Sequence, residues 1–323
     1  MKEARMWTLA LALCAAGCAT APPVRRASPS PEVVELRAAL ESATLRTLVV
    51  APPPTADVDA AVSMAIPQHG SIRGALAYFT AQLKPDIQQS FVRSAQYRKL
   101  IDSVLAENRL PKALAYLPVI ESAYSETMTS RAGARGIWQI MPETAREYGL
   151  RVDKWIDERV DPDLSTRAAA AYLGDLYRDF RDWPLALAAY NAGAARIHRA
   201  LEETHTKSFW ELLELAAIPK ETRGYVPTFF ATLIIATDPA AYGFTLSDPI
   251  DSGITRLDVE GPLSLRKVAR AAHVDVAVLE DLNPALRKGI VPRGVRTSLR
   301  VPTRYHEKIA RALGSERIVT GGM

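Results

Sequence analysis

The chain has 323 residues, of which 48% are apolar and 24% charged, a composition that supports one or two cores and excludes wholesale disorder. Its net charge of +4 is unevenly placed: residues 251–323 hold thirteen Lys+Arg against eight Asp+Glu, so that stretch is +5 and everything before it −1. The bulk of the chain is therefore no polyanion binder, and no apolar run reaches the ~18 residues of a membrane-spanning helix.

At the start, Lys2 and Arg5 precede an apolar segment from Met6 to Gly17 and then Cys18, the charged and apolar regions of a secretory signal. Ala15-Ala16-Gly17-Cys18 resembles a bacterial lipobox. That resemblance implies a lipoprotein signal over 1–18 and lipidation of Cys18. An ordinary cleaved signal with an incidental cysteine is the alternative. Ala19 after the cysteine implies an outer-membrane lipoprotein facing the periplasm of a Gram-negative cell. If Cys14 is discarded and Cys18 acylated, no disulfide, thiol nucleophile or cysteine metal site remains. The five histidines, at 69, 198, 205, 273 and 306, form no i,i+4 pair around a Glu, so neither a metal nor another cofactor is expected. An exported chain is also a poor partner for nucleic acid.

Seven of the 22 prolines lie between 22 and 54. Residues 19–66 therefore read as a Pro/Ala-rich tether with a short helix near 33–48. From 67 to 247 the pattern is helical almost throughout, which predicts an all-α domain of about seven short helices. Pro111 suits a first helical turn, Asp163 or Ser165 an N-cap, and Gly193 a helix stop. After Pro249 the character changes. Ile254–Val259 and Thr297–Val301 alternate like strands, and Ser264–Ala272 and Asp275–Leu282 read as short helices. These elements predict a small α+β module over 250–305, with 306–323 as a tail.

Within the helical part, Leu110, Leu114, Leu117, Glu121 and Tyr124 are spaced 4, 3, 4, 3. That places Glu121 in the row facing the core. A carboxyl group there loses hydration and its pKa rises, which suits an acid that must protonate a leaving oxygen. The competing reading is that Pro118 breaks the register and Glu121 merely caps or pairs at a helix end. Further on, Gly133 and Gly136 permit close backbone approach to a ligand, Pro142 opens a helix, and Gln139 can both donate and accept to an N-acetyl amide.

Glu121-Ser122, then Gly136-Ile137-Trp138-Gln139-Ile140-Met141-Pro142, then Ala189-Tyr190-Asn191-Ala192-Gly193, resemble the lytic transglycosylases of glycoside hydrolase family 23, whose catalytic domain is similar to goose-type lysozyme. Trp155–Asp161 and Glu221-Thr-Arg-Gly-Tyr225-Val-Pro227 extend the likeness, and the Gly-Ile-Trp-Gln form resembles the membrane-bound D branch. The resemblance runs from about residue 74 to about 302. It implies a lysozyme-like helical fold and a peptidoglycan glycan strand as substrate, with Glu121 as the sole catalytic acid/base. Ser122 is implied as its structural partner within the substrate-binding set. Gln139 and Met141, with Ser130, would line the sugar groove. Tyr190 and Asn191 would contact substrate near the scissile bond, and Tyr225 would orient Glu121 or the substrate's acetamido group. The rivals are a lysozyme-type hydrolase, drawing a second carboxylate from Glu126, Glu143, Asp157 or Asp161, and a non-catalytic wall-binding lipoprotein.

Residues 254–302 resemble a LysM-type glycan-binding domain through Leu263-Ser264, Val274-Asp275, Leu282-Asn283-Pro284 and Leu299-Arg-Val-Pro302. As a separable binding unit it should be dispensable for cleavage of short soluble glycans. Between 287 and 304 stand Arg287, Lys288, Arg293, Arg296, Arg300 and Arg304 with no acid. These would meet stem-peptide carboxylates or phospholipid heads, or form an ordinary solvated face.

Overall fold

The computed structural model describes residues 64–314. Cys18, the signal and nearly all of the tether lie outside the described residues. Ten α-helices make the larger part: α1 (Gly70–Ala81), α2 (Lys84–Ser94), α3 (Arg98–Glu107), α4 (Leu117–Ser122), α5 (Pro142–Glu147), α6 (Pro162–Phe180), α7 (Trp183–Ala192), α8 (Ala194–Thr204), α9 (Phe209–Glu214) and α10 (Lys220–Thr237). The count exceeds the seven expected because α4, α5 and α9 have only six residues each, too short to show a period of 3.6. Residues 123–141 and 148–161 are also largely non-helical.

α10 is the hub and packs on α1 and α7. Val226, Phe229, Phe230, Ala231, Leu233 and Ile235 are all buried along it, as expected of a helix that is apolar on most faces. α6 starts where Asp161 accepts from the backbone N–H groups of Asp163 and Leu164, each at 3.0 Å. The N-cap is therefore Asp161, two residues before the earlier of the predicted candidates, and Pro162 follows it in the first turn, where its missing N–H costs nothing. Gly193 ends α7 with φ +89°, a conformation open to glycine.

The second part pairs β1 (Ile254–Glu260) antiparallel with β4 (Arg296–Pro302), from Ile254 opposite Pro302 to Glu260 opposite Arg296. A shorter pair joins β2 (Leu263–Ser264) to β3 (Ile290–Val291). Between them lie α11 (Leu265–Ala272) and α12 (Val276–Leu282). Residues 306–314, read from sequence as the start of a tail, form α13 (His306–Gly314), and its Ile309 and Leu313 are buried in this unit's core. Ile156 of the helical part is buried in that same core, with Trp155 packed against it. A unit of some 60 residues buries little apolar surface of its own, and here it completes its core with a neighbour's side chains.

Candidate active site

α4 is preceded by a 3-10 turn, Lys112–Tyr116, and carries Pro118 in its own first turn, where the missing N–H costs nothing and the core-facing row is kept. Leu114, Leu117 and Tyr124 are buried, and Glu121 on the same row is half-buried. α4 ends at once, with Ala123 (φ +50°) and Tyr124 (φ +59°) both left-handed. The chain thus leaves Glu121 at the edge of the core, where it lines a cavity of about 220 Å³. Loss of hydration is the largest influence on its carboxyl group and pushes the pKa up to about 8; the neighbouring Glu221 charge pushes the same way, and the Tyr225 hydroxyl opposes both.

Tyr225, in α10, donates its hydroxyl to Glu121 Oε1. Ser130, Gln139, Met141, Tyr190 and Asn191 line the same cavity. A second cavity of about 250 Å³ shares Gln139, Met141, Tyr190 and Asn191 and continues past Thr144 and Tyr172. Together they form one groove, with Glu121 on the wall of the first cavity and not of the second.

The wall between α4 and α5 is a folded segment held by its own sequence. Ile137 and Trp138 are buried, with Trp138 Nε1 donating to Thr166 Oγ1 at 2.9 Å. Gln139 then turns out with φ +49°. Its Nε2 donates to the carbonyls of Gly136 (2.9 Å) and Met128 (3.2 Å), which leaves Oε1 as the acceptor facing the groove. Asn191 is fixed in the opposite sense. Its Oδ1 accepts from Thr222 Oγ1 at 2.9 Å, so its amide hydrogens are the free group. Met141 is 37% exposed and offers the groove an apolar surface.

Several expectations change in detail. Ser122 is only 1% exposed and its hydroxyl donates to the Ile137 carbonyl at 2.8 Å, so it pins the wall and does not line the groove. Neighbours on a helix point about 100° apart, and the face next to Glu121 is the core. The Tyr190 hydroxyl donates to the Trp138 carbonyl at 2.7 Å, which leaves the ring as its groove-facing part. Ser130 accepts from the Ala134 N–H at 3.0 Å and closes a turn. Gly136 is required for packing and not for ligand approach: a Cβ there would stand 1.9 Å from the Arg159 carbonyl oxygen.

Sequence reasoning passed over Glu221 as a site residue. It lies in the first turn of α10, where an acid is ordinary, yet it lines the groove beside Glu121. Its spacing of four from Tyr225, one helical turn, was the available signal. The four acids considered as a second carboxylate stand elsewhere. Glu126 binds Arg300, Asp157 binds three arginines, Asp161 caps α6 and binds Arg256, and Glu143 lies within 3.8 Å of Arg146. Among the described residues no group of three or more His, Cys, Asp or Glu could hold a metal, and no helix is long and apolar enough to cross a membrane.

Residues 101–213 match the family described as the transglycosylase SLT domain, and residues 253–317 match the LysM-like domain of lytic transglycosylase MltD. The chain is 30% identical over 263 residues to membrane-bound lytic murein transglycosylase D of Escherichia coli K12, covering 80% of this chain and 57% of that relative. It is 34% identical over 119 residues to membrane-bound lytic murein transglycosylase F of Maricaulis maris, covering 33% and 24%. The chain thus spans little more than half the length of the most extensive of these relatives. Among solved structures, the 70 kDa soluble lytic transglycosylase of Escherichia coli aligns with a TM-score of 0.42 and 23% identity over 54% of this chain and 28% of that one. The Pseudomonas aeruginosa lytic transglycosylase Slt aligns at 0.38 and 27% over 48% and 25%. The two family matches thus divide the chain into a transglycosylase SLT domain over 101–213 and an MltD-type LysM-like domain over 253–317.

Proposed function

We propose that this protein is a peptidoglycan lytic transglycosylase of glycoside hydrolase family 23. It cleaves the β-1,4 bond from N-acetylmuramic acid to N-acetylglucosamine without water. The observation that carries the reading is the placement of Glu121: its carboxyl group lines a groove whose walls, among the described residues, include no lysine or arginine, and loss of hydration shifts it towards the protonated form.

Glu121 donates its proton to the bridging oxygen as that oxygen leaves C1 of N-acetylmuramic acid. The substrate's own acetamido oxygen supports the positive charge developing at C1. The Glu121 carboxylate then removes the proton of the 6-hydroxyl as O6 bonds to C1, and the product carries a 1,6-anhydro ring. The proton returns to Glu121 and no atom of water is consumed. Tyr225 holds Oε1, so Oε2 is the oxygen left to carry the transferable proton. Gln139 Oε1 suits an acetamido N–H, Asn191 Nδ2 suits a carbonyl or hydroxyl oxygen, and Met141 and Tyr190 suit the apolar face of a sugar ring.

A second reading is favoured by one observation. Glu221 brings another carboxylate to the groove, as a hydrolase would need to activate water. The two differ in product: the transglycosylase releases ends lighter by one water than the reducing ends a hydrolase leaves. A non-catalytic binder would release neither. Mass analysis of fragments from purified cell walls decides among the three.

Lipidation at Cys18 and an outer-membrane, periplasm-facing location belong to the same proposal and rest on the lipobox-like residues 15–18. Cys18→Ala should yield a protein that is either soluble or left unprocessed. Normal processing and unchanged membrane fractionation would defeat that part alone.

A further inference from the structure

The basic run 287–304 looked from sequence like a surface for an anionic partner. In the folded chain it is largely spent within the protein. Arg296 meets Glu260, Arg304 lies over the Tyr305 ring, and Lys288 stands 4.4 Å from the centre of the Trp155 ring. Arg287 Nη2 reaches Asp157 Oδ2 at 2.7 Å, and Arg300 binds Glu126 through both Nη atoms at 3.1 Å.

The two acids that receive these arginines bracket the groove wall. Glu126 lies five residues beyond Glu121 and two before Met128, whose carbonyl accepts from both Gly136 N–H and Gln139 Nε2. Asp157, with a side chain wholly out of solvent, also binds Arg135 at 2.8 Å and Arg159 at 2.9 Å. Arg159 in turn donates to the carbonyls of Gly133 (2.6 Å) and Ile140 (3.1 Å), the two shoulders of the turn that presents Gln139. The backbone joins here as well: Asp157 N–H donates to Ala285, Arg287 N–H to Trp155, and Ile156 bridges Leu286. Arg300 is itself fixed, because Asn283 accepts from its N–H and donates to its carbonyl, each at 2.8 Å.

We propose that the LysM-like unit is a positioning element of the glycan site. Arg300 holds the start of segment 126–141 through Glu126, and Arg287 holds its far end through Asp157 and the Arg135 and Arg159 that Asp157 binds, so that the two set where Gln139 and Met141 stand in the groove. The expectation of a separable unit, dispensable on short soluble glycans, is thereby reversed. Reorganisation of a positioning group by about 1 Å is enough for a rate effect on the order of 10²-fold, so loss of one clamp should be visible without unfolding.

The inference uses the reading of the groove as a glycan site, and its test has one readout independent of that reading. Full-length Arg287→Gln and Arg300→Gln would be compared with the parent on a soluble, peptide-free oligomer of alternating N-acetylglucosamine and N-acetylmuramic acid. Amide hydrogen exchange would be followed over 126–141. Each variant should lose about tenfold or more in kcat/KM, mainly through a higher KM, with faster exchange confined to 126–141. Arg287→Lys should recover at least half of both effects, because its contact is a single N–O pair that an ammonium can replace. Arg293→Ala, whose exposed side chain makes no hydrogen bond, ion pair or ring contact among the described residues, should match the parent. Kinetics within twofold of the parent together with unchanged exchange in both Gln variants would overturn the proposal. So would faster exchange spread evenly over both units with no recovery in Arg287→Lys. If the parent itself cleaves no glycan, the functional reading fails while the exchange comparison still decides the clamp.

Discussion

Two carboxyl groups removed from water on the helical part have opposite fates. Glu121 has no cation on its cavity wall, and burial lifts its pKa to about 8. Burial pushes Asp157 in the same direction, yet the hydrogen bonds and charges of Arg159 and Arg135 outweigh it and hold the carboxyl group below its ordinary range. The contrast shows that burial alone does not keep an acid protonated. What decides is whether the fold supplies the compensating charge or withholds it. At the groove it is withheld and a transferable proton results. At Asp157 it is supplied three times over, and a structural hub results.

The contrast can be broken at either end. Glu121→Gln preserves volume and hydrogen bonding but removes the proton. Activity should fall by ~10²–10⁴ or more, since one group acts as acid and then base. The same substitution should raise the melting temperature near pH 8. The Glu121 pKa is raised on folding, so the wild type loses stability as pH rises from the unfolded value towards about 8. At pH 4 the two proteins should melt together. Equal melting at both values would mean that Glu121 is not held protonated. Asp157→Asn removes the shared anion from three arginines and should destabilise by about 3–5 kcal/mol, measured by denaturant unfolding. Because the folded pKa of Asp157 is depressed, its contribution in the wild type is present above the ordinary aspartate pKa and lost as pH falls through the folded value.

Smaller changes sharpen the comparison. Gly136→Ala places a Cβ against the Arg159 carbonyl and forces a left-handed residue, so the groove wall should shift and the fold lose about 1–3 kcal/mol. Tyr225→Phe removes the hydrogen bond that lowers the Glu121 pKa. The alkaline limb of the pH–rate profile should move up while the maximal rate falls. Glu221→Gln removes a like charge and should move that limb down, the smallest effect of the series. A limb that moves the wrong way in either variant would mean that it does not report Glu121.

Much of this was legible in the sequence for local reasons. The 4-3-4-3 row through Glu121, the helix opened by Pro142 and the stop at Gly193 each depend on residues close together in sequence, and the structure keeps all three. The α+β alternation after Pro249 is equally local. The misreadings concern long-range geometry. Ser122 and Glu126 gave no sign that one would turn into the core and the other meet Arg300, 174 positions away. Asp161 looked like a candidate base because its Arg256 partner, 95 positions away, is invisible without the fold. Glu221 was hidden in the opposite way, since an acid in a first helical turn needs no further explanation.

The central claim is that Glu121 drives a reaction into which no water enters. Purified peptidoglycan should be digested in water enriched in oxygen-18, and the new glycan ends weighed by mass spectrometry. The account predicts 1,6-anhydro ends, one water lighter than reducing ends and free of the heavy isotope, formed by the wild type and absent with Glu121→Gln. Reducing ends carrying the heavy oxygen would contradict it and make the protein a hydrolase.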